Sequence, residues 1–488
     1  MFMPGRVLVV GLGAVSRSVL PLLFRHLRLD PAKYTVLDCV PAPESIRWVE
    51  GRGAQFLRQR VTSENYREVL RQEVAAGDLV IDLACDIDTV AMLDWCHAQG
   101  VRYINTSVGL WDERPTARDA NPAHQPTVYA RHLGLRAAIE KWGGNGGPTA
   151  IVEHGANPGL MSHFVKTGLD DIADEWMSEY VGPGRRRERI DSARRSGAYN
   201  HLAELLRVRV IHLAEHDTQI SADANHDNEF ANTWCPEELY REAMAPSEIG
   251  WGTHECLLPL DAISHRVGPR NQILLTSTGR DTRIRSWVPS GAIDGMAIAH
   301  GDTFSISEHL TVDGPEAPRY RPTVCYAYRP CGPALASLAE LGTGHAEFPS
   351  RHRIMTDDVV SGRDELGCLI MGHDFRSRWT GSLLDIDASR DLVAGQNATT
   401  VQVAAGVLAA VQYAIAQPRR GVLLADDVPH RFAMDHATPY LGPFVSQPVP
   451  WTPPPSCSES TDAGWQFNSF LITPGAVTST SKSSIPTS

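Results

Sequence analysis

Gly11-Leu-Gly13 follows the apolar run Arg6-Val-Leu-Val-Val10 directly and opens a stretch in which Val15, Val19, Leu22 and Leu23 recur at helical spacing. A strand, a glycine turn and a helix in this order restrict the fold sharply. The first glycine permits a tight turn, and the second lets the backbone approach a pyrophosphate. The helix N-terminus then presents unpaired N–H groups to the anion. Ser16 stands where a third glycine would be and is small enough to keep helix and strand close. Tyr34–Asp38 reads as the second strand and ends in an acid about 25 residues beyond the glycines. A carboxylate there accepts hydrogen bonds from ribose hydroxyls and repels a 2′-phosphate, so the expected cofactor is NAD rather than NADP. The expected nucleotide contacts are Gly11, Gly13, Ala14, Val15 and Asp38, with Thr106 at the end of a later strand, because ligands lie beyond the carboxyl ends of parallel strands.

The alternation continues through a third strand at 54–61, a polar helix at 64–75, the buried strand Asp78–Ala84, a helix at 88–99 and a strand at 101–105. Strands alternating with helices imply a parallel sheet covered on both faces. The expected fold class is therefore α/β, a Rossmann-like, doubly wound sheet over residues 1–150. From 151 to 394 the texture changes to a mixed α+β domain for substrate binding and dimerisation, with strands expected at Ile273–Thr278, Thr303–Ser307 and Thr323–Ala327. Ala398–Ala416 is small and apolar at helical spacing, so it reads as a long buried helix within a segment, about 395–442, that returns to the first domain. The arginine-rich stretch 183–196 reads as a solvated face. Residues 446–488, rich in Pro, Ser and Thr, are expected to be disordered and dispensable.

A net charge of -12 over 488 residues argues against a nucleic-acid partner. Nine cysteines without a C-x-x-C pair suggest reduced thiols and a cytoplasmic setting. The glycine-broken N-terminus does not read as a signal peptide, and no apolar run reads as a membrane span, so no membrane partner is expected.

Between Ile211 and Glu255 ten carboxylates face one arginine, Arg241, and no lysine, and the stretch carries Trp234 and Trp251. Carboxylates hold ammonium groups, and a tryptophan face attracts a cation. Beside a dinucleotide fingerprint, this bias points to redox chemistry on a cationic amine; the bland reading is a solvated acidic face. A metal centre is not expected. His212, His216, Asp217 and His254 could be gathered, but His212 and His216 lie in what reads as a strand, not at i, i+4 on a helix.

Longer blocks carry a resemblance. Glu153-His-Gly-Ala-Asn-Pro-Gly-Leu-Met-Ser-His-Phe-Val-Lys166, Ile211-His-Leu-Ala-Glu-His-Asp-Thr-Gln219, Asn232-Thr-Trp234, Gly250-Trp-Gly-Thr-His-Glu255 and Asp364-Glu-Leu-Gly-Cys-Leu-Ile-Met-Gly-His373 resemble the bacterial homospermidine synthases. So do Val401-Gln-Val-Ala-Ala-Gly-Val-Leu-Ala and Pro418-Arg-Arg-Gly-Val422, and the likeness spans residues 5 to about 442. That family is related to saccharopine and carboxynorspermidine dehydrogenases. Its members hold NAD as a recycled prosthetic group and join two putrescines into homospermidine with release of ammonia. The resemblance implies a diamine or polyamine substrate and a homodimer. It also implies that Trp234, Glu215, His300 and Asn157 carry the chemistry and that Glu242, Asp364 and Asp86 (or Asp88) bind the amine.

On this reading Glu215 and Glu242 hold ammonium ends and Trp234 stabilises an iminium. His300, ordinarily near pH ~6.5, exchanges protons. Taken alone, each of these residues also has a structural reading: Asn157 before Pro158 as a turn residue, Trp234 as core, His300 as a loop histidine and Asp364 as a surface acid. The sequence departs from the family at Gly109, where a glutamate usually precedes the tryptophan corresponding to Trp111. The stretch 176–200 and the tail are also extra. Two alternatives stay open: a homologue that condenses another amine pair, and a non-catalytic amine- or nucleotide-binding regulator.

Overall fold

The computed structural model describes residues 1–111, 126–342, 348–453 and 463–472. Val7–Val10 (β1), Tyr34–Asp38 (β2), Gln55–Arg58 (β3), Leu79–Asp82 (β4), Arg102–Asn105 (β5) and Ala150–Ile151 (β6) build a seven-stranded sheet with Val422–Leu423. Its order is Val422–Leu423, β6, β5, β4, β1, β2, β3, and every neighbouring pair is parallel. Helices cover both faces, which is why β1, β4 and β5 are buried at every position instead of alternating. The expected α/β fold is the one observed. One helix absent from the expectation, Pro43–Glu50, follows β2.

The second sheet has ten strands. Val210–Asp217 (β7) lies near its centre, parallel to Thr323–Arg329 on one side and antiparallel to Arg363–Met371 on the other. The two-residue period of β7 turns Ile211, Leu213, Glu215 and Asp217 to one face and His212, Ala214 and His216 to the other. The first face meets the helices that join the two sheets, and the second packs under the hairpin Arg283–Val288 and Gly291–Ile298. Thr303–Ser307, expected as a strand, lies instead in the helix Gly301–His309. Its alternating Thr, Ser and Ser are all buried, and Thr303 Oγ1 bonds the His300 carbonyl (2.7 Å) as the helix begins. Packing against neighbours overrides the β-like pattern.

Ala398–Ala416 is the helix expected there, wedged between the sheets. Gln402 Nε2 reaches Ser382 Oγ at 2.8 Å on the second sheet, and Ser18 Oγ on Ala14–His26 (α1) reaches Gln396 Oε1 at 3.1 Å just before the helix. Gly406 is required where the helix meets Gly155, because a Cβ would overlap the Gly155 carbonyl. Contrary to the sequence expectation, this 19-residue helix is long and apolar enough to cross a membrane, but Val401, Val407, Leu408 and Val411 are wholly buried inside the protein. At ~1.5–3 kcal/mol for each such side chain it is a core helix.

The disordered tail is also corrected. Phe444–Pro448 adds a strand to Arg378–Asp385, and Phe467 and Phe470 insert under the second sheet beside Trp451 and Trp251. Glu255 accepts the Phe467 N–H at 3.0 Å, and Phe470 O accepts the Arg285 N–H at 2.9 Å. Composition hid two large aromatic anchors in a Pro/Ser/Thr background. Residues 454–462 and 473–488 lie outside the described residues.

Candidate active site

Two adjoining cavities occupy the carboxyl ends of β1, β2, β4 and β5. The outer cleft, about 450 Å³, is lined by Gly11, Gly13, Asp38 and the loops after β3 and β4, a size suited to a cofactor. Gly11 has φ +94°, and a Cβ there would crowd the main chain at Leu83. A Cβ at Gly13 would meet nothing within 4 Å, so the space beside the start of α1 is open. α1 has no side-chain cap, which leaves its first N–H groups to an anion. Asp38 ends β2 with Oδ2 on Leu12 N (2.5 Å) and Oδ1 on Val40 N (2.8 Å), so its carboxylate is fixed at the cleft edge. The cradle, the open helix terminus and the acid together fit an NAD molecule.

The inner cavity is lined by Asn157, Glu215, Trp234, Glu242 and His300, with Val15 and Thr106 on the side of the nucleotide cleft. Asn157 Nδ2 donates to Glu215 Oε2 and contacts the Tyr326 hydroxyl, which itself donates to Glu215 Oε2. Trp234 Nε1 donates to the Tyr328 hydroxyl at 3.0 Å, fixing the indole at the wall. The strand register explains this meeting. Tyr328 pairs with Glu215, and Tyr326 with Leu213, in parallel strands, so all of them point to one face. Sequence reading missed both tyrosines, although their i, i+2 spacing in Cys-Tyr-Ala-Tyr was a usable signal.

Burial dominates the electrostatics. It pushes the Glu215 carboxyl up to about 8, despite the hydrogen bonds from Tyr326 and Asn157. Glu242 is also held well above the usual carboxylate range, first by burial and then by Glu238 and Glu215. His300, edge-on to Tyr326 at 4.8 Å, is driven down to about 4 by burial, with the Glu153 charge only partly opposing. A Cβ at Gly301 would overlap the Glu153 carboxylate, so that glycine lets the acid approach the histidine. His300 is therefore a neutral imidazole at pH 7. Glu215, not His300, has the affinity matched to proton exchange near neutrality.

Two residues expected at the amine lie elsewhere. Asp364 pairs with Asp217 in the sheet behind Glu215, is wholly buried, and accepts from Thr399 Oγ1 at 2.8 Å. Burial and the neighbouring Glu215 and Asp217 keep it protonated far above the ordinary range. Asp86 lines the outer cleft and takes Arg241 Nη2 at 2.7 Å.

The acidic stretch is likewise not one surface. Arg241 also neutralises Glu238, Glu248 accepts the N–H groups of Val128 (2.7 Å) and Tyr129 (2.9 Å), and Trp251 belongs to the far core. The four candidate metal ligands do not converge. His212 bonds Ser286 (3.0 Å) and His216 bonds Ser290 (3.2 Å) on one face of β7, Asp217 faces the other, and His254 bonds the Trp465 carbonyl (3.0 Å). The arginine-rich stretch forms the helix Arg185–Ser196, with Arg186 on Asp374 (2.7 Å) and Arg194 on Asp174 (2.6 Å).

Known proteins resemble this chain in sequence and fold over nearly its whole length. The saccharopine dehydrogenase NADP binding domain family matches residues 7–151, and the saccharopine dehydrogenase C-terminal domain family matches 155–448. Homospermidine synthase of Blastochloris viridis is 36% identical over 480 residues, 96% of this chain and 97% of its own length. That of Mesorhizobium japonicum is 35% identical over 482 residues, 96% of each. The crystal structure of homospermidine synthase from Legionella pneumophila in complex with NAD superposes with a TM-score of 0.85 at 32% identity, covering 97% of this chain and 99% of that one. Sequence and fold agree along the full length, and the chain belongs to the homospermidine synthase family.

Proposed function

We propose that this protein is an NAD-dependent homospermidine synthase that moves an aminobutyl group from one putrescine to the amine of another and releases ammonia. The observation that carries the reading is the convergence of Glu215, Asn157, Trp234 and His300 on a cavity opening beside the nucleotide cleft. Bound in that cleft, NAD supplies a hydride acceptor that later returns the same hydride, so no net oxidant is consumed.

The protein's own residues do the rest. Glu215, ionised when a cation approaches, holds one ammonium and accepts its proton, freeing the nitrogen lone pair. Asn157 and Tyr326 fix the carboxylate so that a single orientation is presented, which offsets part of the entropy of bringing two amines together. Glu242 steadies a second ammonium from the side of Glu238. Trp234 offers its ring face to the cationic carbon–nitrogen centre of the substrate, worth ~0.5–2 kcal/mol. Neutral His300 accepts a hydrogen bond from an ammonium or from departing ammonia. Asp217 acts from behind, adding to the burial that raises Glu215. The proposal includes a homodimer in the cytoplasm. The eight free cysteines among the described residues agree with that compartment, and light scattering on the purified protein reads the oligomer.

The test is product analysis with putrescine and NAD. Homospermidine and ammonia should form in equal amounts without matching NADH. NADH rising in step with ammonia would mean an ordinary amine dehydrogenase instead. Gly109 favours a second reading in which the amine pair differs. Its main chain is tied to Thr89 on both sides, the N–H on Thr89 Oγ1 at 3.0 Å and the carbonyl on the Thr89 N–H at 3.1 Å, and it brings no carboxylate for an ammonium. An acceptor with one fewer cationic end than putrescine would then outcompete it in a panel of amines.

A further inference from the structure

Where the nucleotide cleft meets the amine cavity, two thiols from distant parts of the chain face each other. Cys85 follows β4 in the first sheet, and Cys235 caps the helix Pro236–Met244 of the second domain. Their sulfurs are 3.6 Å apart, and both residues line both cavities. Glu238, one turn into that helix, brings a carboxylate oxygen so that all three ligand atoms lie within 4.8 Å of one another. Glu237 Oε2 is 3.4 Å from the Cys235 sulfur.

We propose that Cys85, Cys235 and Glu238 form a site for a thiophilic divalent cation such as Zn²⁺, whose occupation joins the two domains and obstructs the amine cavity. Two thiolates bound at ~2.3 Å around a tetrahedral ion are separated by ~3.8 Å, close to the spacing observed. A disulfide would need the sulfurs at ~2.05 Å, a much larger movement. Carboxylate and thiolate together suit zinc, and the cleft leaves a fourth position for water. Binding replaces the two thiol protons, which pass to solvent, and releases Glu238 from Arg241, which keeps Asp86. A reading without C-x-x-C could not find this pair, because 150 residues separate the two cysteines.

The site stands independently of the proposed reaction; only the obstruction rests on it. The reduced full-length protein, with and without NAD, is titrated anaerobically with Co²⁺ and then Zn²⁺. One Co²⁺ per chain should give a thiolate charge-transfer band that Zn²⁺ abolishes. The band should disappear in Cys85→Ser and Cys235→Ser and weaken several-fold in affinity in Glu238→Gln, with circular dichroism confirming the fold. In the unmodified protein, Zn²⁺ should shield Cys85 and Cys235 peptides from alkylation, which needs no variant. An absent band, an undiminished band in either serine variant, or unshielded thiols would overturn the site. Loss of two thiols with no metal bound would show a disulfide pair and overturn it as well. In the activity arm, Zn²⁺ should slow polyamine formation reversibly to chelator, measured against each variant's own metal-free rate. Full turnover with Zn²⁺ bound would overturn the obstruction, whereas absence of turnover without Zn²⁺ would count against the reaction alone.

Discussion

Replacing Glu215 by glutamine keeps the shape and the hydrogen-bond capacity of the side chain while removing its ability to ionise. Burial raises this carboxyl from 4.5 to about 8. At ~1.4 kcal/mol per tenfold change, holding it ionised in the empty pocket costs ~5 kcal/mol. An ammonium seated against it removes most of that cost, so by reciprocity the ionised protein binds the diamine up to ~5 kcal/mol more tightly than the protonated one. At pH 7 the proton must first leave a group of pKa about 8, at ~1.4 kcal/mol. That leaves ~3–4 kcal/mol, or ~10²–10³-fold, as the expected loss of putrescine affinity in Glu215→Gln.

The sign with pH follows. Below about 8 the free protein carries a neutral Glu215, and above it an anion. For the wild type, kcat/KM should therefore climb through that region before the substrate loses its own charge, and the variant should lack the climb. Because the folded value is raised, the carboxyl also stabilises the fold least at high pH. Stability should fall as pH rises from 4.5 through about 8 in the wild type, and by less in the variant. Calorimetry of putrescine binding and pH–rate profiles measure both. A Glu215→Gln protein with wild-type affinity and the same pH profile would refute the role of the charge.

Trp234→Phe and Trp234→Leu both lose the bond to Tyr328, so their difference isolates the ring face. The phenylalanine variant should retain partial turnover, and the leucine variant should fall up to ~30-fold further at similar melting temperature; equal rates would sink the cation–π role. The wild type should use NAD well and NADP poorly, and Asp38→Asn should narrow the gap by ~10-fold or more, read from kcat/KM for the two cofactors. Equal use by the wild type would show that Asp38 does not face the ribose. Phe467→Ala and Phe470→Ala should each cost ~3–5 kcal/mol of stability, because both rings are fully buried. Unchanged thermal and urea melts would return the segment to the status of a loose tail.

The first sheet was legible because its information is local. Gly11, Gly13 and Asp38 act within one strand–turn–helix–strand unit, and β1 and β4 announce two-sided burial by runs that are apolar but for the closing Asp82. The helix Ala398–Ala416 was legible for the same reason, since small apolar residues at helical period leave it no polar face. Elements whose residues owe their state to distant neighbours were not. Thr303–Ser307 is helical because its hydroxyls find partners inside the core, and Phe467 and Phe470 stay ordered because a slot 200 residues upstream accepts them. Neither partner is visible in a window of the sequence.

The site divides along the same line. The resemblance located Asn157, Glu215, Trp234, Glu242 and His300 as a set, but residue type could not assign their charge states. A histidine suggests the proton carrier by its ordinary pKa. Burial here takes it down to about 4 and brings a glutamate up to about 8, so the group matched to neutral pH is the acid. Ten acids against one arginine read as a surface for amines, yet Arg241 takes Glu238, the N–H groups of Val128 and Tyr129 take Glu248, and the Thr233 hydroxyl takes Asp217. On the proposed reading, the pair left for the substrate is Glu215 and Glu242, both raised chiefly by burial. Carboxylates destabilised as anions by burial are the ones that an incoming diamine would relieve on that reading. On the same reading, specificity for a dication would arise from the cost of the empty pocket as much as from contacts in the filled one.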